Sequence, residues 1–194
     1  MRIAIIGTGN VGGALARKWA HAGHQVTLGV RNTTEFKGKE LLNEKNISVA
    51  EIEEAVKKSD VILIAAVPQA TTDIVKLMGD VSGKIIIDAM NSVRTKPDGF
   101  NNSFEALKAL ATSAEIVKCF NSVGFNVMED TNFNGTKADM YMAGSSERAK
   151  EVAKQLALDA GFENCYNFGN DDKAALLEQF ALSWINLAMM QGQG

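Results

Sequence analysis

Short apolar segments alternate along the chain with longer segments that repeat their apolar residues at helical spacing. The apolar runs are bounded by turn residues, which is typical of strands buried in a parallel sheet between helices. We predict strands over residues 2–6, 25–30, 61–67, 84–89, 116–120, 140–143 and 164–168. We predict helices over residues 11–22, 37–44, 50–58, 69–78, 103–111, 146–160 and 171–190. This alternation indicates an α/β fold: a Rossmann-type doubly wound, mostly parallel sheet with helices on both faces.

Two segments interrupt the alternation. Residues 91–102 contain Lys96-Pro97-Asp98-Gly99 and predict a loop after the fourth strand. Residues 121–139, rich in Asn, Gly, Asp and Thr, predict a long loop after the fifth strand. Both loops follow the carboxyl ends of predicted parallel strands, which is where open α/β sheets bind ligands.

The chain shows no internal repeat or linker, so we expect residues 1–194 to form a single domain. The final helix, about residues 171–190, is apolar on more than one face. Such a helix must be buried on more than one side. We therefore expect it to pack at the interface of a homodimer.

Composition excludes several classes of protein. The 194 residues carry a formal net charge of -3, with acidic and basic residues interspersed, so nucleic acid is not an expected partner. We find neither a signal peptide nor an apolar run long enough to span a membrane. The two cysteines, Cys119 and Cys165, form no disulfide framework or metal motif and suit a reducing compartment. A soluble, cytoplasmic protein is expected.

The segment Gly7-Thr8-Gly9-Asn10-Val11-Gly12 matches the GxGxxG pattern of dinucleotide-binding turns. Alone the pattern is a weak signal, and its glycines could merely shape a turn. Here it follows an apolar strand and leads into a helix, which is the context that the motif requires. Gly7 permits the tight turn, Gly9 lets the backbone approach phosphate, and Gly12 lets the helix pack closely. The helix start, with its unpaired N–H groups, would hold a pyrophosphate.

The end of the second predicted strand indicates which dinucleotide binds. NAD enzymes of this type place a carboxylate there, whereas this chain has Gly29-Val30-Arg31-Asn32-Thr33-Thr34. Arg31 can bind a 2′-phosphate through two hydrogen bonds, and Asn32, Thr33 and Thr34 supply further donors. NADP(H) is therefore predicted in preference to NAD(H), the alternative being that Arg31 is only a solvated turn residue.

The third strand ends in Ala65-Ala66-Val67-Pro68. The small residues would let a cofactor lie against the backbone, and Pro68 ends the strand. Any apolar strand end looks similar, so the segment predicts cofactor contact only in combination with the two preceding signals.

These segments resemble the family of coenzyme F420-dependent NADP oxidoreductases and the cytoplasmic reductase domains of STEAP metalloreductases. The resemblance covers nearly the whole chain. The Lys-x-Phe-Asn-x-Val element at residues 118–123 is its most specific part, because many families share GxGxxG. The matching segments are residues 6–12, 29–32, 66–68, 88–91, 117–123 and 142–144, together with the helix of Glu178.

The resemblance implies that NADPH lies extended across the sheet, with its nicotinamide near the ends of the fourth and fifth strands. By position, Met90, Asn91 and Asn121 would surround the nicotinamide, and the loop from Ser122 would help cover the acceptor. The alternative for both asparagines is ordinary turn chemistry. The complete set of predicted cofactor contacts is Gly7, Thr8, Gly9, Asn10, Val11, Gly12, Arg31, Asn32, Thr33, Ala66, Val67, Pro68, Ala89, Met90, Asn91 and Asn121.

The predicted function is that of an NADP(H)-dependent oxidoreductase which transfers a hydride between NADPH and a flavin-like, small-molecule acceptor. F420, FMN or FAD would be the second substrate, or a flavin would mediate reduction of a ferric complex. The alternative is a non-catalytic NADP(H) sensor, or the cofactor-binding subunit of a larger assembly.

The chain departs from the family pattern in two places. Val30 stands where many relatives have Ser, which removes one hydroxyl from the predicted 2′-phosphate site. The sequence also stops at Gly192-Gln193-Gly194, where relatives usually continue through a short apolar segment. Part of the acceptor pocket is therefore expected to be absent or supplied otherwise.

The remaining polar residues predict no dedicated acid–base or metal chemistry. Hydride transfer to a flavin-like ring needs mainly positioning and exclusion of water. The only histidines, His21 and His24, are expected at the far end of the strands, and Cys119 is expected to be an apolar core residue. The carboxylates Asp60, Asp88 and Glu178 could anchor loops or cofactor hydroxyls, but no spacing identifies a catalytic pair or a zinc site.

Overall fold

Strands and helices alternate along residues 1–192, the part of the chain that the computed structural model describes. The predicted effect of the chain end concerns Gln193 and Gly194, which lie outside the described residues. The strands are β1 (Arg2–Ile6), β2 (Gln25–Val30), β3 (Ile47–Glu51), β4 (Val61–Ile64), β5 (Ile85–Asp88), β6 (Glu115–Cys119), β7 (Asn132–Phe133), β8 (Thr136–Lys137), β9 (Met140–Ala143) and β10 (Cys165–Asn167). The α-helices are α1 (Asn10–His21), α2 (Ile52–Lys57), α3 (Thr71–Met78), α4 (Ser103–Leu110), α5 (Phe125–Glu129), α6 (Glu147–Asp159) and α7 (Ala174–Met190).

Eight strands form one sheet, in the order β10-β9-β6-β5-β4-β1-β2-β3. From β3 to β6 all neighbours are parallel, and their order is the 3-2-1-4-5-6 order of the Rossmann fold. Only β9 runs antiparallel to its neighbour β6. The predicted Rossmann-type, mostly parallel sheet is therefore confirmed. The strand order reverses between β1 and β4, and this reversal opens a crevice at their carboxyl ends.

Helices cover both faces of the sheet, as predicted. Alternate residues of β1 point to opposite faces, so Ile3 and Ile5 join a core with α1 and α6. Ala4 and Ile6 join a second core with α2, α3 and α4. Because both faces are buried, the central strands consist almost entirely of apolar residues.

Three elements in the first half of the chain differ from the predictions. Residues 47–51 form the edge strand β3, although we predicted a helix from residue 50. The alternation of Ile47 and Val49 with Ser48 is the strand signal that the helical interpretation missed. The predicted helix over 37–44 is a 3-10 helix at Lys39–Asn43. The third predicted strand, 61–67, ends at Ile64, because the chain turns into a 3-10 helix at Pro68–Ala70.

The predicted long loop over residues 121–139 contains secondary structure. It holds the short helix α5 and the hairpin β7–β8. Asn134 and Gly135 connect the two strands with φ angles of 53° and 91°, the positive values that a type I′ turn requires. Asn-Gly is the strongest local hairpin signal, so this turn could have been predicted from the sequence.

Helix α7 leaves much of its apolar surface exposed. Within it, Ala174, Leu177, Glu178 and Ala181 are buried. The side chains of Leu176, Phe180, Leu187, Met189 and Met190 are exposed. The helix is therefore apolar on more than one side, but the homodimer that we expected from this pattern stays a prediction.

Candidate dinucleotide-binding site

In the turn between β1 and α1, Gly7 and Gly12 cannot be replaced by a larger residue without displacing backbone. Gly7 has φ +98°, and a Cβ there would overlap the carbonyl group of Ala65. A Cβ on Gly12 would overlap the carbonyl oxygen of Gly7. By contrast, a Cβ on Gly9 would have no atom within 4 Å. The space beside Gly9 is open, as a backbone approach to phosphate requires.

The start of α1 is free of capping groups. Gly9 is its N-cap, no side chain caps it, and its first turn contains no acidic residue. The first intrahelical bond of this turn runs from the N–H of Gly13 to the carbonyl of Gly9. The N–H groups before Gly13, including those of Val11 and Gly12, point outward with the positive end of the helix dipole. This geometry fits a pyrophosphate.

The loop after β2 docks on the glycine turn. The Thr8 hydroxyl donates to the carbonyl of Lys37. The Asn32 side-chain oxygen accepts from the backbone N–H and the hydroxyl of Thr34, at 2.9 and 2.8 Å. The hydroxyl of Thr34 is thereby engaged, so our prediction that it donates to a phosphate finds no support in this geometry. The amide nitrogen of Asn32 and the hydroxyl of Thr33 form no hydrogen bond within residues 1–192.

Arg31 is exposed on this loop and takes part in none of the ion pairs between described residues. An unpaired guanidinium beside a nucleotide crevice is available to an anionic ligand. The predicted role of Arg31 therefore has the geometry that it needs.

A groove of about 750 Å³ connects these features. Of the predicted contacts, Gly7, Thr8, Arg31, Asn32, Ala66 and Val67 line it. Lys37 and Phe36 line it too, and the sequence analysis did not identify them. Lys37 adds a second cation beside Arg31 in the lining of the groove, and Phe36 adds an aromatic surface. The predicted contacts outside the lining of this groove are Gly9, Asn10, Val11, Gly12, Thr33, Pro68, Ala89, Met90, Asn91 and Asn121.

The two predicted nicotinamide residues lie side by side. The Asn91 amide nitrogen donates to the Asn121 carbonyl oxygen at 2.7 Å, and the Asn121 amide nitrogen donates to Asn91 Oδ1 at 2.9 Å. Asn121 is 2% exposed, and its Oδ1 has no hydrogen-bond partner among residues 1–192. An orphaned buried acceptor is costly unless a ligand or water satisfies it. Asn121 therefore offers an unpaired acceptor to an amide such as the nicotinamide carboxamide, which would have to displace the groups that cover this buried oxygen in order to reach it.

Ala89 and Met90 lie deeper than predicted. Met90 is 2% exposed, and its side chain packs in the core formed with α2, α3 and α4. Its backbone carbonyl accepts a hydrogen bond from Lys118 Nζ at 2.6 Å. Ala89 is 7% exposed. Little of either residue is accessible, so the prediction that Met90 surrounds a ring lacks support from its position.

A buried cluster of charged groups underlies the asparagine pair, and the sequence analysis did not recognise it. Lys118 Nζ lies 2.9 Å from Asp88 Oδ2 and also donates to Glu178 Oε1. The side chains of Lys118 and Asp88 are fully buried, and that of Glu178 is 8% exposed. From the sequence, the two carboxylates are predicted as anchors of loops or cofactor hydroxyls, with no link to Lys118. A lysine inside an otherwise apolar strand was the available signal.

The backbone of Phe120, between the cluster and Asn121, has a left-handed conformation with φ 62°. This is a rare and strained state for an aromatic residue. The ring is held by an edge-on contact with Trp19, at a centroid distance of 5.5 Å, and by Phe162 at 6.5 Å. This conformation turns the backbone after β6, and Asn121 is the next residue.

The histidines lie away from the groove and the asparagine pair, and the cysteines are buried in the core. His24 is near the amino ends of the strands, where it contacts the amino group of Met1 and the Asp159 carboxylate, at 2.9 and 3.0 Å. This placement supports a structural role. Cys119 is fully buried in the core. Burial raises the pKa of its thiol well above the ordinary value, and the neighbouring Cys165 raises this pKa further.

Residues 1–192 contain no cluster of three or more His, Cys, Asp or Glu side chains arranged to hold a metal ion. None of the helices in that range combines the length and the apolar character that a membrane crossing demands.

The sheet order, the open glycine turn and the groove define a dinucleotide-binding protein of the Rossmann type. Residues 2–92 match the family described as NADP oxidoreductase, coenzyme F420-dependent. The resemblance to this family that the sequence motifs indicated is confirmed, and the family is one of NADP-dependent oxidoreductases.

Two curated relatives and one solved structure extend the comparison. The chain is 25% identical to the metalloreductase STEAP3 of Rattus norvegicus over 162 residues, which are 83% of this chain and 32% of the relative. It is 24% identical to glycerol-3-phosphate dehydrogenase [NAD(P)+] of Thermoanaerobacter sp. (strain X514) over 211 residues, with 91% of this chain and 64% of the relative covered. The chain thus spans about a third of the first relative and under two thirds of the second.

A crystal structure named as that of an F420-dependent NADP reductase from Arthrobacter sp. FB24 has the same fold. Its TM-score is 0.87 at 22% identity, and the match covers 99% of this chain and 95% of that one. At this identity the likeness shows the fold alone.

Proposed function

We propose that the protein is an NADP(H)-dependent oxidoreductase that transfers a hydride between NADPH and a flavin-like acceptor. The observation that carries this proposal is the arrangement along one edge of the sheet. The uncapped glycine turn and Arg31 follow β1 and β2, and the Asn91–Asn121 pair follows β5 and β6. An extended dinucleotide with a 2′-phosphate at one end and an amide-bearing ring at the other fits this arrangement.

The groove would hold the adenosine half of NADP(H). Arg31 and Lys37 would bind the 2′-phosphate, with Arg31 supplying a bidentate guanidinium. Phe36, Ile74 and Leu77 offer apolar surface for the adenine ring. The start of α1 would bind the pyrophosphate.

The Asn91–Asn121 pair would position the nicotinamide half. Asn121 Oδ1, the orphaned acceptor, would take a hydrogen bond from the carboxamide. When bound, NADPH supplies two electrons and a proton as hydride to the acceptor, which is reduced while the nicotinamide is oxidised. The side chains then need only hold the two rings together and exclude water.

A flavin-like acceptor is favoured because no histidine among the described residues lies beside the Asn91–Asn121 pair, and Lys118, the ammonium beneath that pair, is fully buried and engaged by carboxylates. Reduction of simple ketones or imines would need a proton donor. The family description names coenzyme F420, and one relative is named a metalloreductase. We therefore propose F420, FMN or FAD as acceptor, with reduction of a ferric complex through a flavin as a further route.

The test is a panel of acceptors. Purified protein is mixed with NADPH and, in separate reactions, with F420, FMN, FAD, and FMN plus a ferric chelate, and the loss of NADPH absorbance is followed. We expect turnover with at least one acceptor and slower turnover with NADH. Tight NADPH binding without turnover of any acceptor would instead support a non-catalytic NADP(H) sensor or a cofactor-binding subunit.

A further inference from the structure

The turn at residues 90–92 is held from both sides by the buried charged cluster. Lys118 Nζ donates to the carbonyl oxygen of Met90 at 2.6 Å. Glu178 Oε2 accepts from the backbone N–H of Ser92 at 3.0 Å. Asn91 is the one residue between these two contacts, so its backbone is fixed on each side by a charge-assisted hydrogen bond.

The cluster is itself rigidly held. Asp88 Oδ2 accepts from Lys118 and from the Ser103 hydroxyl, the latter at 2.8 Å, and Asp88 Oδ1 accepts from the N–H of Met90 at 3.0 Å. One ammonium group thus faces two carboxylates inside the protein. Removing one member of such a group leaves uncompensated charge in the interior, so each member depends on the others to be tolerated there.

The same turn of α7 reaches the second asparagine. The Asn121 amide nitrogen lies 3.5 Å from the carbonyl oxygen of Leu177, the residue before Glu178. Within α7, Glu178 is the only ionisable residue, and it is buried. An acidic side chain in an otherwise uncharged helix is directed at the turn that carries Asn91.

We propose that Glu178 and Lys118 are positioning residues for the nicotinamide end of the cofactor. They clamp the 90–92 turn between β6 and α7 and so hold Asn91, and through it Asn121, in the geometry that binds the ring. This inference rests on the proposed function, because it takes the asparagine pair as the nicotinamide site. It makes α7 part of cofactor binding although the helix lies outside the main groove.

The test compares two ligands that differ only at the nicotinamide end. NADPH and 2′-phospho-ADP-ribose, which lacks the nicotinamide, are titrated calorimetrically into wild-type protein and Glu178→Ala. We expect Glu178→Ala to weaken NADPH binding about tenfold, equivalent to ~1.4 kcal/mol. Binding of 2′-phospho-ADP-ribose should change less than about twofold, because its contacts lie at Arg31 and α1.

Two further variants refine the comparison. Glu178→Gln keeps the shape of the side chain but has one acceptor oxygen for two donors, Lys118 Nζ and the N–H of Ser92. Its loss of NADPH affinity should be smaller than that of the alanine variant, and Glu178→Gln alone carries the comparison if Glu178→Ala does not fold. Gln179→Ala, at the exposed neighbouring position of α7, is the matched control and should bind both ligands as wild type does.

The outcomes separate the two proposals. Equal weakening of both ligands in the Glu178 variants would mean a general structural role and would overturn the clamp. Unchanged NADPH affinity in both Glu178 variants would also overturn it. Wild-type protein that fails to bind NADPH would overturn the proposed function and the clamp together. Wild-type protein that binds the two ligands equally would overturn the clamp and leave the nucleotide groove intact.

Discussion

At the end of β2, Val30 packs into the core, whereas the next residue, Arg31, is exposed beside the proposed ligand site. Val30 is 7% exposed and packs into the core of α1 and α6, so this position offers no donor to a phosphate. In the proposed NADP(H) complex, Arg31 and Lys37 would therefore bind the 2′-phosphate without a hydroxyl from position 30.

Replacing Arg31 tests the cofactor preference. We expect Arg31→Ala to weaken NADPH binding by between several-fold and roughly a hundredfold, because a charge-assisted contact to the 2′-phosphate is lost. NADH binding should be nearly unchanged. The control is Arg2→Ala, because Arg2 is also an exposed arginine but lies at the amino end of β1, far from the proposed site. Equal losses for NADPH and NADH would show that Arg31 does not contact the 2′-phosphate.

Two glycines of the motif should respond differently to alanine. Gly9→Ala meets no protein atom within 4 Å, so the variant should fold with an unchanged melting temperature, yet its methyl group would intrude on the pyrophosphate and weaken NADPH binding. Gly12→Ala would overlap the Gly7 carbonyl and should lower the melting temperature itself. Thermal unfolding with and without NADPH measures both effects. A destabilised Gly9→Ala protein would contradict this assignment.

At this scale, the residues that could be predicted are those fixed by local pattern. Gly7, Gly9 and Gly12 follow from a strand-turn-helix context, and Arg31 from its place after the next strand. Lys118 could not be connected to Glu178, because only the folded sheet brings residues 60 positions apart into contact. Lys37 was missed for a related reason, since its place in the groove depends on how the 31–38 loop folds back over Thr8.

At the scale of the elements, strand β9 separates the two strands that carry the cysteines, and this spacing bears on whether a disulfide can form. Cys119 on β6 and Cys165 on β10 have sulfur atoms 4.0 Å apart, but β9 runs between their strands. Strands two positions apart are separated by roughly 9–10 Å. A disulfide needs Cα atoms within about 7 Å, so we expect the two thiols not to join although their sulfur atoms are close.

We therefore expect both thiols to stay reduced and unreactive in the native protein. Burial keeps the Cys119 thiol protonated, and the thiolate is the reactive form. Titration with a chromogenic thiol reagent should detect no reactive cysteine before unfolding and two afterwards. Treatment with a thiol oxidant should form no internal disulfide in the native state, and a shift of the denatured, unreduced protein on gels after such treatment would contradict the prediction.

The elements themselves were predictable where hydrophobic periodicity was strong. The predicted bounds of β1, β2 and β9 agree with the structure, since each is a short apolar run closed by polar or turn residues. The edge strand β3 was missed because only one face is half-buried and its apolar pattern is weak. The hairpin β7–β8 was missed because its strands are two residues each, too short to produce a visible period.

At the scale of the whole molecule, we propose that a second copy of this chain covers the exposed side of α7. Most outward residues of α7 are apolar and none is charged, although Gln179, Ser183 and Asn186 are exposed as well, so a charged partner would find nothing complementary there. The surface continues into the aromatic cluster of Tyr141, Tyr166, Phe168 and Phe180, in which Tyr166 is 50% exposed. An uncharged apolar surface of this kind favours self-association.

Sedimentation velocity should therefore show a dimer at micromolar concentrations. Leu187→Glu places a charge at a position that is 61% exposed and should shift the protein to monomer without lowering its melting temperature as a monomer. Leu110→Glu, also exposed but on α4, is the control and should leave the dimer intact. A wild-type protein that sediments as a monomer at all concentrations would rule the dimer out.

The strained backbone at Phe120 extends the functional region beyond the ligand groove. Its ring leans on Trp19, whose indole N–H donates to the carbonyl of Leu156 on α6 at 2.9 Å. If that support were trimmed, as in Trp19→Leu, Phe120 could relax from φ 62° and Asn121 would turn with it. In a deep mutational scan selected for NADPH turnover, substitutions of Trp19 would then rank among the most damaging. Its distance from the cofactor site alone would not predict this sensitivity, because Trp19 acts through Phe120 and Asn121.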